Sequence, residues 1–67
     1  MSVAKVIEIS ATSEDSFEDA INEGIKRTSQ TVEDITGVWV KEQHADVENG
    51  EIVDYRVDMK ITFLVHE

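Results

Sequence analysis

Apolar and polar residues follow different spacings in successive parts of the chain, and each spacing predicts one kind of element. Residues 3–10 (VAKVIEIS) are rich in β-branched side chains and predict a strand. Residues 14–30 carry an apolar stripe at three- and four-residue spacing, which predicts an amphipathic helix. We expect Ser13 to be the N-cap of this helix, because Glu14 and Asp15 then place negative charge in its first turn.

Two long strands, at about 35–48 and 51–66, are predicted to follow the helix. The dipeptide Asn49-Gly50 between them favours a type I′ hairpin turn, because both central residues of that turn have positive φ. A turn at this position pairs residues whose numbers sum to 99. The predicted pairs are therefore Glu48 with Glu51, Asp46 with Val53, Val40 with Met59, and Val38 with Ile61.

The last predicted strand alternates regularly between apolar and polar residues. Its odd-numbered residues from Val53 to Val65 are apolar, and its even-numbered residues from Asp54 to Thr62 are polar. The apolar side must face the helix. The hairpin pairing then places five residues of the preceding strand on the polar side, namely Gly37, Trp39, Lys41, Gln43 and Ala45. Trp39, the only tryptophan, is thus expected on a polar face beside Lys60.

The predicted fold class is α+β: a single domain over residues 1–67, with the order β-α-β-β and a three-stranded antiparallel sheet wrapped around one helix. Fourteen strand residues span about 45 Å, whereas a 17-residue helix spans about 25 Å. One helix therefore leaves part of the sheet uncovered, and the open strand edges also need protection. Cysteine is absent, so disulfides are excluded and oligomerisation is the stabilising device that we expect.

Charge and composition narrow the classes of function. Fifteen acidic residues oppose six basic ones, for a net charge of −9. This balance argues against nucleic acid and against an anionic membrane surface as partners. A signal-peptide core and a run of about 18 apolar residues are both missing, so a cytoplasmic location is expected. Two histidines, no cysteine and three isolated glycines argue against a His-rich or thiolate metal site and against a phosphate loop, and we expect no enzymatic activity.

Six segments of the chain, together with the order and length of its elements, match the pattern of one known family. The segments are KVIEI at 5–9, ATSEDSFEDA at 11–20, Gln30-Thr31-Val32, Val47-Glu48-Asn49-Gly50, Tyr55-Arg56-Val57 and Ile61-Thr62-Phe63. In these segments the chain resembles the dodecins, small flavin-binding proteins that assemble as hollow dodecamers. The likeness covers essentially the whole chain.

The resemblance implies a homododecamer that stores riboflavin or FMN without covalent attachment, with flavins held between subunits. The family's stacking tryptophan corresponds to Gly37 in this sequence, and its ring-edge amide corresponds to Arg56. The positions that meet the ribityl end correspond to Glu42, His44 and Asp46. Trp39 follows Gly37 by two residues on the same predicted face. It either reaches the same pocket, with Gly37 leaving room for the ring, or is shifted into the usual position by a bulge.

Other interpretations of these residues stay open at the level of sequence. Trp39 can instead seal a subunit interface or pair with Lys60 through a cation–π contact. Arg56 can pair with Gln43 or with nearby acids. The carboxylates around the hairpin end suit Ca²⁺ or Mg²⁺, although a solvated acidic surface is the simpler interpretation. The alternative function is a flavin-free oligomeric shell or interaction module, and a third option is a dodecamer that binds cations or coenzyme A.

Overall fold

The computed structural model describes residues 2–66 and contains four elements in the predicted order. Strand β1 spans Val3–Ser13, helix α1 spans Phe17–Thr28, strand β2 spans Ile35–Glu48, and strand β3 spans Glu51–Val65. The three strands form one antiparallel sheet in the order β1-β3-β2. The predicted fold class is confirmed. Asn49 and Gly50 have φ values of 52° and 79°, as the hairpin turn requires.

The start of α1 differs from the prediction. Ser13 ends β1, and the N-cap is Ser16, whose side chain accepts a hydrogen bond from the backbone N–H of Asp19 at 3.0 Å. The buried hydroxyl of Ser13 accepts the backbone N–H of Asp15 at 2.9 Å and donates to the carboxylate of Asp19 at 2.7 Å. These local hydrogen bonds hold the segment before Phe17 in a turn, so the helix begins three residues later than expected.

Helix α1 packs on one side of the sheet, called here the inner face, mainly over β1 and β3. Val57, Met59 and Ile61 of β3 are fully buried on this face, as their alternation predicted. Gly24 of α1 allows the close approach, because a Cβ at this position would lie 2.5 Å from the terminal methyl group of Met59. Phe17 closes one end of the core through an edge-to-face contact with Tyr55, with ring centroids 5.0 Å apart.

The register between β2 and β3 follows the predicted sum of 99 at some positions and departs from it at others. Val38 pairs with Ile61, Val40 with Met59, and Glu48 with Glu51, as expected. The predicted pair of Asp46 with Val53 is wrong. Between Val40 and Val47 of β2 the register is shifted by one residue. The observed pairs there include Asp46 with Asp54, Ala45 with Tyr55, and Gln43 with Val57.

Two compensating β-bulges produce this shift. Lys41 is the extra residue of β2 between Val40 and Glu42, and Val53 is the extra residue of β3 at the hairpin end. Each bulge reverses the facing of the residues beyond it. Gln43 and Ala45 therefore lie on the inner face with Val57 and not on the opposite side, as the strict alternation had predicted.

The sheet extends well beyond the helix. The principal extents are 52 × 20 × 13 Å, whereas α1 has only 12 residues and is about 18 Å long. The side of the sheet turned away from α1, called here the outer face, carries no element of the chain within residues 2–66. Within the same residues, no helix has the length and apolar character needed to cross a lipid bilayer.

Candidate functional site

The outer face brings together all six residues that the sequence predicted for the site. Gly37 is paired with Thr62, and Trp39 is paired with Lys60. Paired residues project to the same side of a sheet, and the even-numbered residues of β3 project away from the buried core. The next rows towards the hairpin turn contain the pairs Glu42–Asp58, His44–Arg56 and Asp46–Asp54.

The bulge at Lys41 is responsible for this arrangement. Without the extra residue, Glu42, His44 and Asp46 would alternate with Trp39 and point to the inner face. The bulge lets β2 present the aromatic residue and the three polar residues on one surface. The site therefore consists of an aromatic end at Trp39 and a polar end near the hairpin turn.

Trp39 is strongly exposed for so large an apolar side chain, with 72% of its surface accessible. The ammonium group of Lys60 lies 5.8 Å from the centroid of the indole ring, as in a cation–π contact. The expectation that Trp39 lies beside Lys60 is thus confirmed.

Gly37 leaves open space beside the indole. A Cβ built at this position would meet no atom within 4 Å. Trp39 keeps its pairing with Lys60, and the nearby register shift falls before Gly37, at Thr36. The outer face thus has a flat aromatic platform at Trp39 with free room two residues away at Gly37, and the two predicted alternatives for Trp39 both stay predictions.

The polar end of the site is organised around Asp46. One carboxylate oxygen lies 3.0 Å from Nε2 of His44, and the other lies 3.6 Å from a guanidinium nitrogen of Arg56. Arg56 is exposed, and Gln43 lies on the other face, so the predicted alternative of an Arg56–Gln43 pair is wrong. Glu42 is also exposed, opposite Asp58. This end offers carboxylate acceptors together with a planar donor group.

An ion pair crosses the outer face next to Trp39. Nζ of Lys41 lies 2.9 Å from a carboxylate oxygen of Glu8 in β1, so the lysine side chain reaches across β3. The hydrogen bond from Lys41 is the main cause that lowers the pKa of Glu8, and the same bond raises the pKa of Lys41. Sequence reasoning missed this contact, because Lys41 and Glu8 are 33 residues apart and meet only through the pairing of both strands with β3.

The hairpin end carries acids that face each other directly. Asp46 pairs with Asp54, and Glu48 pairs with Glu51. Like charges in direct cross-strand pairs are destabilising unless something compensates them. Within residues 2–66, no group of three or more histidine, aspartate or glutamate side chains is placed to hold a metal ion.

A cavity of about 680 Å³ lies elsewhere, between β1 and α1. Its floor includes Ile9 and Ala11, and its rim includes Asp19, Glu23 and Arg27. None of the six predicted site residues lines it. The cavity is therefore separate from the outer face.

An antiparallel sheet that partly wraps one helix and leaves an aromatic and polar face uncovered defines a class of small β-α-β-β binding proteins. The family model described as Dodecin matches residues 3–66. The chain is also 38% identical to the calcium dodecin of Mycobacterium tuberculosis over 63 residues, which cover 94% of this chain and 89% of that protein. This chain therefore belongs to the dodecin family.

Solved structures of the family show the same fold. The dodecin of Streptomyces davaonensis matches with a TM-score of 0.92 and 32% identity, covering 98% of this chain and 97% of that one. A mutant dodecin of T. thermophilus gives a TM-score of 0.95 at 27% identity, with both chains fully covered. The calcium dodecin of Mycobacterium tuberculosis, described with a calcium-binding site, gives 0.81 at 37% identity over 96% of this chain and 91% of that one.

Proposed function

We propose that this protein is a single-domain, cytoplasmic storage protein that sequesters riboflavin or FMN between the subunits of a homododecamer, without catalysis. Membership of the dodecin family supports a small binding protein. The observation that carries the flavin assignment is the combination of a strongly exposed indole, Trp39, and open space at Gly37, two residues before it. A planar heterocycle is the class of ligand that fits such a platform.

The outer face also supports oligomerisation. Val6 and Trp39 are large apolar side chains exposed on this face, and a monomer gains nothing from exposing them. A second copy placed over Trp39 would exclude water from both sides of a flat ligand. In this proposal the dodecamer is needed for binding, since one chain supplies only one wall of the site.

Each residue of the site has a distinct role in the proposal. Trp39 stacks on the ring, and Arg56 donates hydrogen bonds to a carbonyl edge of the ring or to a phosphate. Glu42 and Asp46 accept hydrogen bonds from the hydroxyl groups of a ribityl chain, and His44 contacts the end of that chain. The flavin ring, when bound, supplies a strong electron acceptor in its light-excited state. Trp39 quenches that state by donating an electron and then recovering it.

The charge around the polar end favours riboflavin over FMN. Glu42, Asp46, Asp54 and Asp58 outnumber the one permanent cation of these rows, Arg56. A phosphate group brought to this end would meet net negative charge, whereas a neutral ribityl chain would find acceptors. We therefore propose riboflavin as the preferred ligand.

Titration of riboflavin with the protein tests the proposal through the loss of flavin emission. Stacking on an aromatic side chain contributes roughly 1–3 kcal/mol. Trp39→Ala is therefore expected to weaken riboflavin binding by about 5- to 150-fold. Trp39→Phe keeps a smaller ring, so its affinity for riboflavin should lie between those of the wild type and Trp39→Ala. Equal affinity of wild type and Trp39→Ala would contradict the platform, and no binding by the wild type would favour a flavin-free shell.

A specific observation favours a second function, the binding of a divalent cation. Of the facing acids Asp46–Asp54 and Glu48–Glu51, only Asp46 has a cationic partner within residues 2–66, namely Arg56 at 3.6 Å, so negative charge is in excess at the hairpin end. A relative 38% identical to this chain is named a calcium dodecin. We propose that carboxylates from neighbouring copies complete a Ca²⁺ site there, because hard cations take six to eight oxygen ligands.

Thermal unfolding with and without CaCl₂ tests this second function. The wild type is expected to gain thermal stability with Ca²⁺ beyond the gain given by NaCl of equal ionic strength. Asp54→Asn should lose that excess gain, while Asp15→Asn, which is remote from the turn, should keep it. Equal responses of wild type and Asp54→Asn would contradict a cation site at the hairpin end.

A further inference from the structure

Lys60 stands between two competing partners on the outer face. It is the central member of a row across the sheet, paired with Glu8 of β1 on one side and with Trp39 of β2 on the other. An ammonium group with a carboxylate in the facing position would ordinarily form an ion pair with it. Yet the ammonium group of Lys60 lies over the indole of Trp39.

Lys41 explains this choice. It comes from the bulge of β2 and forms the 2.9 Å ion pair with Glu8. The lowered pKa of Glu8 and the raised pKa of Lys41 both have this contact as their main cause. Among residues 2–66, no carboxylate lies within 4 Å of the ammonium group of Lys60. Lys41 therefore makes the close contact with Glu8, and Lys60 acts on that carboxylate only through a weaker charge attraction.

The position of Lys60 has an electronic consequence for Trp39. A cation over the face of an indole is attracted by its π electrons. Removal of one electron from the indole turns that attraction into repulsion between two cations. Lys60 therefore makes Trp39 harder to oxidise. An interaction of this size changes the equilibrium constant for oxidation of the indole by about two- to fivefold.

We propose that Lys41 and Lys60 are positioning residues that set the electron-donating strength of Trp39: Lys41 retains Glu8, and Lys60 is thereby left on the indole. This inference rests on the proposed function, in which Trp39 quenches an excited flavin. One electron passes from the indole to the excited ring and then returns, so that neither is oxidised or reduced overall. Lys60 slows the forward transfer and thus sets how fast the only tryptophan of the chain donates its electron.

Voltammetry of the ligand-free protein tests the inference without any flavin. The protein has one tryptophan, so the indole oxidation peak reports Trp39 alone. Lys60→Met should lower the oxidation potential by the equivalent of about a two- to fivefold change in the equilibrium. Lys41→Met should lower it similarly although Lys60 is intact, because Glu8 then draws Lys60 away from the indole.

The double variant Glu8→Gln/Lys41→Met is the matched control. It lacks the ion pair as Lys41→Met does, but it also lacks the Glu8 carboxylate that would draw Lys60 away from the indole. Its potential should return to that of the wild type, and a purely structural role of the ion pair would not give this recovery. A Lys41→Met potential equal to that of the wild type, or one that stays low in the double variant, would overturn the inference.

With riboflavin bound, the excited-state lifetime gives a second measurement. It should be shorter in Lys60→Met than in the wild type, by at most about fivefold. Equal lifetimes would overturn the inference even where riboflavin binds tightly. Failure of the wild type to bind riboflavin would instead overturn the proposed function, and the ligand-free potentials would still decide the inference.

Discussion

The inner and outer faces of the same sheet differ in how far a single chain completes them. On the inner face, Val57, Met59 and Ile61 are fully buried under α1. On the outer face, Trp39 has 72% of its surface exposed. It is paired with Lys60, which follows the buried Met59 directly in β3. The inner face thus stabilises the fold of one chain, whereas the outer face leaves a large apolar side chain exposed, which we propose is covered by a ligand and a further copy.

Substitution of Met59 on the inner face is expected to give the largest effect on stability. Met59→Ala removes a fully buried side chain that packs against Gly24 and should cost about 2–5 kcal/mol in the free energy of unfolding. Lys60 is the next residue of β3 and projects to the outer face. Lys60→Ala should change the free energy of unfolding by less than about 0.5 kcal/mol. Urea denaturation measures both values. Similar losses in the two variants would contradict the division of labour between the faces.

Substitution of Gly37 is expected to affect binding without affecting the fold. A leucine at this position has space in the free chain but enters the room beside Trp39 that a planar ligand needs. Crowding of this kind costs about 1–3 kcal/mol, so Gly37→Leu should weaken riboflavin binding by roughly 5- to 150-fold. Gly37→Ala should give a smaller loss. Unchanged riboflavin affinity in Gly37→Leu would place the ligand elsewhere.

The net charge of −9 per chain predicts that salt strengthens association through the outer face. Like-charged copies repel each other, and molar salt shortens the range of that repulsion to about 3 Å. Size-exclusion chromatography should therefore show more of the smaller species in dilute buffer than in molar NaCl. An elution profile that does not change with salt would contradict electrostatic control of the assembly.

The ion pair of Glu8 and Lys41 should give the smallest effect, because both side chains are exposed. The pKa of Glu8 is lowered, so its stabilisation is present above its ordinary value of 4.5 and is lost as the pH falls through the lowered pKa. The pKa of Lys41 is raised, so its stabilisation is lost only as the pH rises through a value above 10.5.

The pH dependence can be measured as the difference in urea midpoint between wild type and Lys41→Met. The difference should be present at pH 7 and should fall towards zero in acid, below the pKa of Glu8. Lys5→Met, which alters an exposed lysine of the same strand as Glu8, should show no such change with pH. A constant difference for Lys41→Met would show that the carboxylate of Glu8 does not contribute.

Much of the fold could be predicted because the signals are local and repeat along the chain. The alternation through Val57, Met59 and Ile61 identified the buried face of β3, and Asn49-Gly50 identified the turn. The helix start was misplaced because Ser13 and Ser16 are equally good capping residues by type. Only the hydrogen bonds of Ser13 to Asp15 and Asp19 decide between them.

The site was predicted less completely because bulges carry no clear signal in this sequence. Strict alternation placed Gln43 and Ala45 beside Trp39, and the bulge at Lys41 reversed that assignment. The resemblance to dodecins nevertheless selected residues that share the outer face. The role of Glu8 was missed because it depends on the pairing of β1 with β3. These strands are far apart in the sequence, and no local pattern predicts their register.

Native mass spectrometry of the protein with added riboflavin tests most directly whether the outer face becomes complete only on assembly around a flat ligand. We expect a dodecamer that retains riboflavin, and we expect the retained riboflavin to be lost in Trp39→Ala. A folded monomer under the same conditions, or a dodecamer whose riboflavin content is the same with and without Trp39, would contradict the proposal.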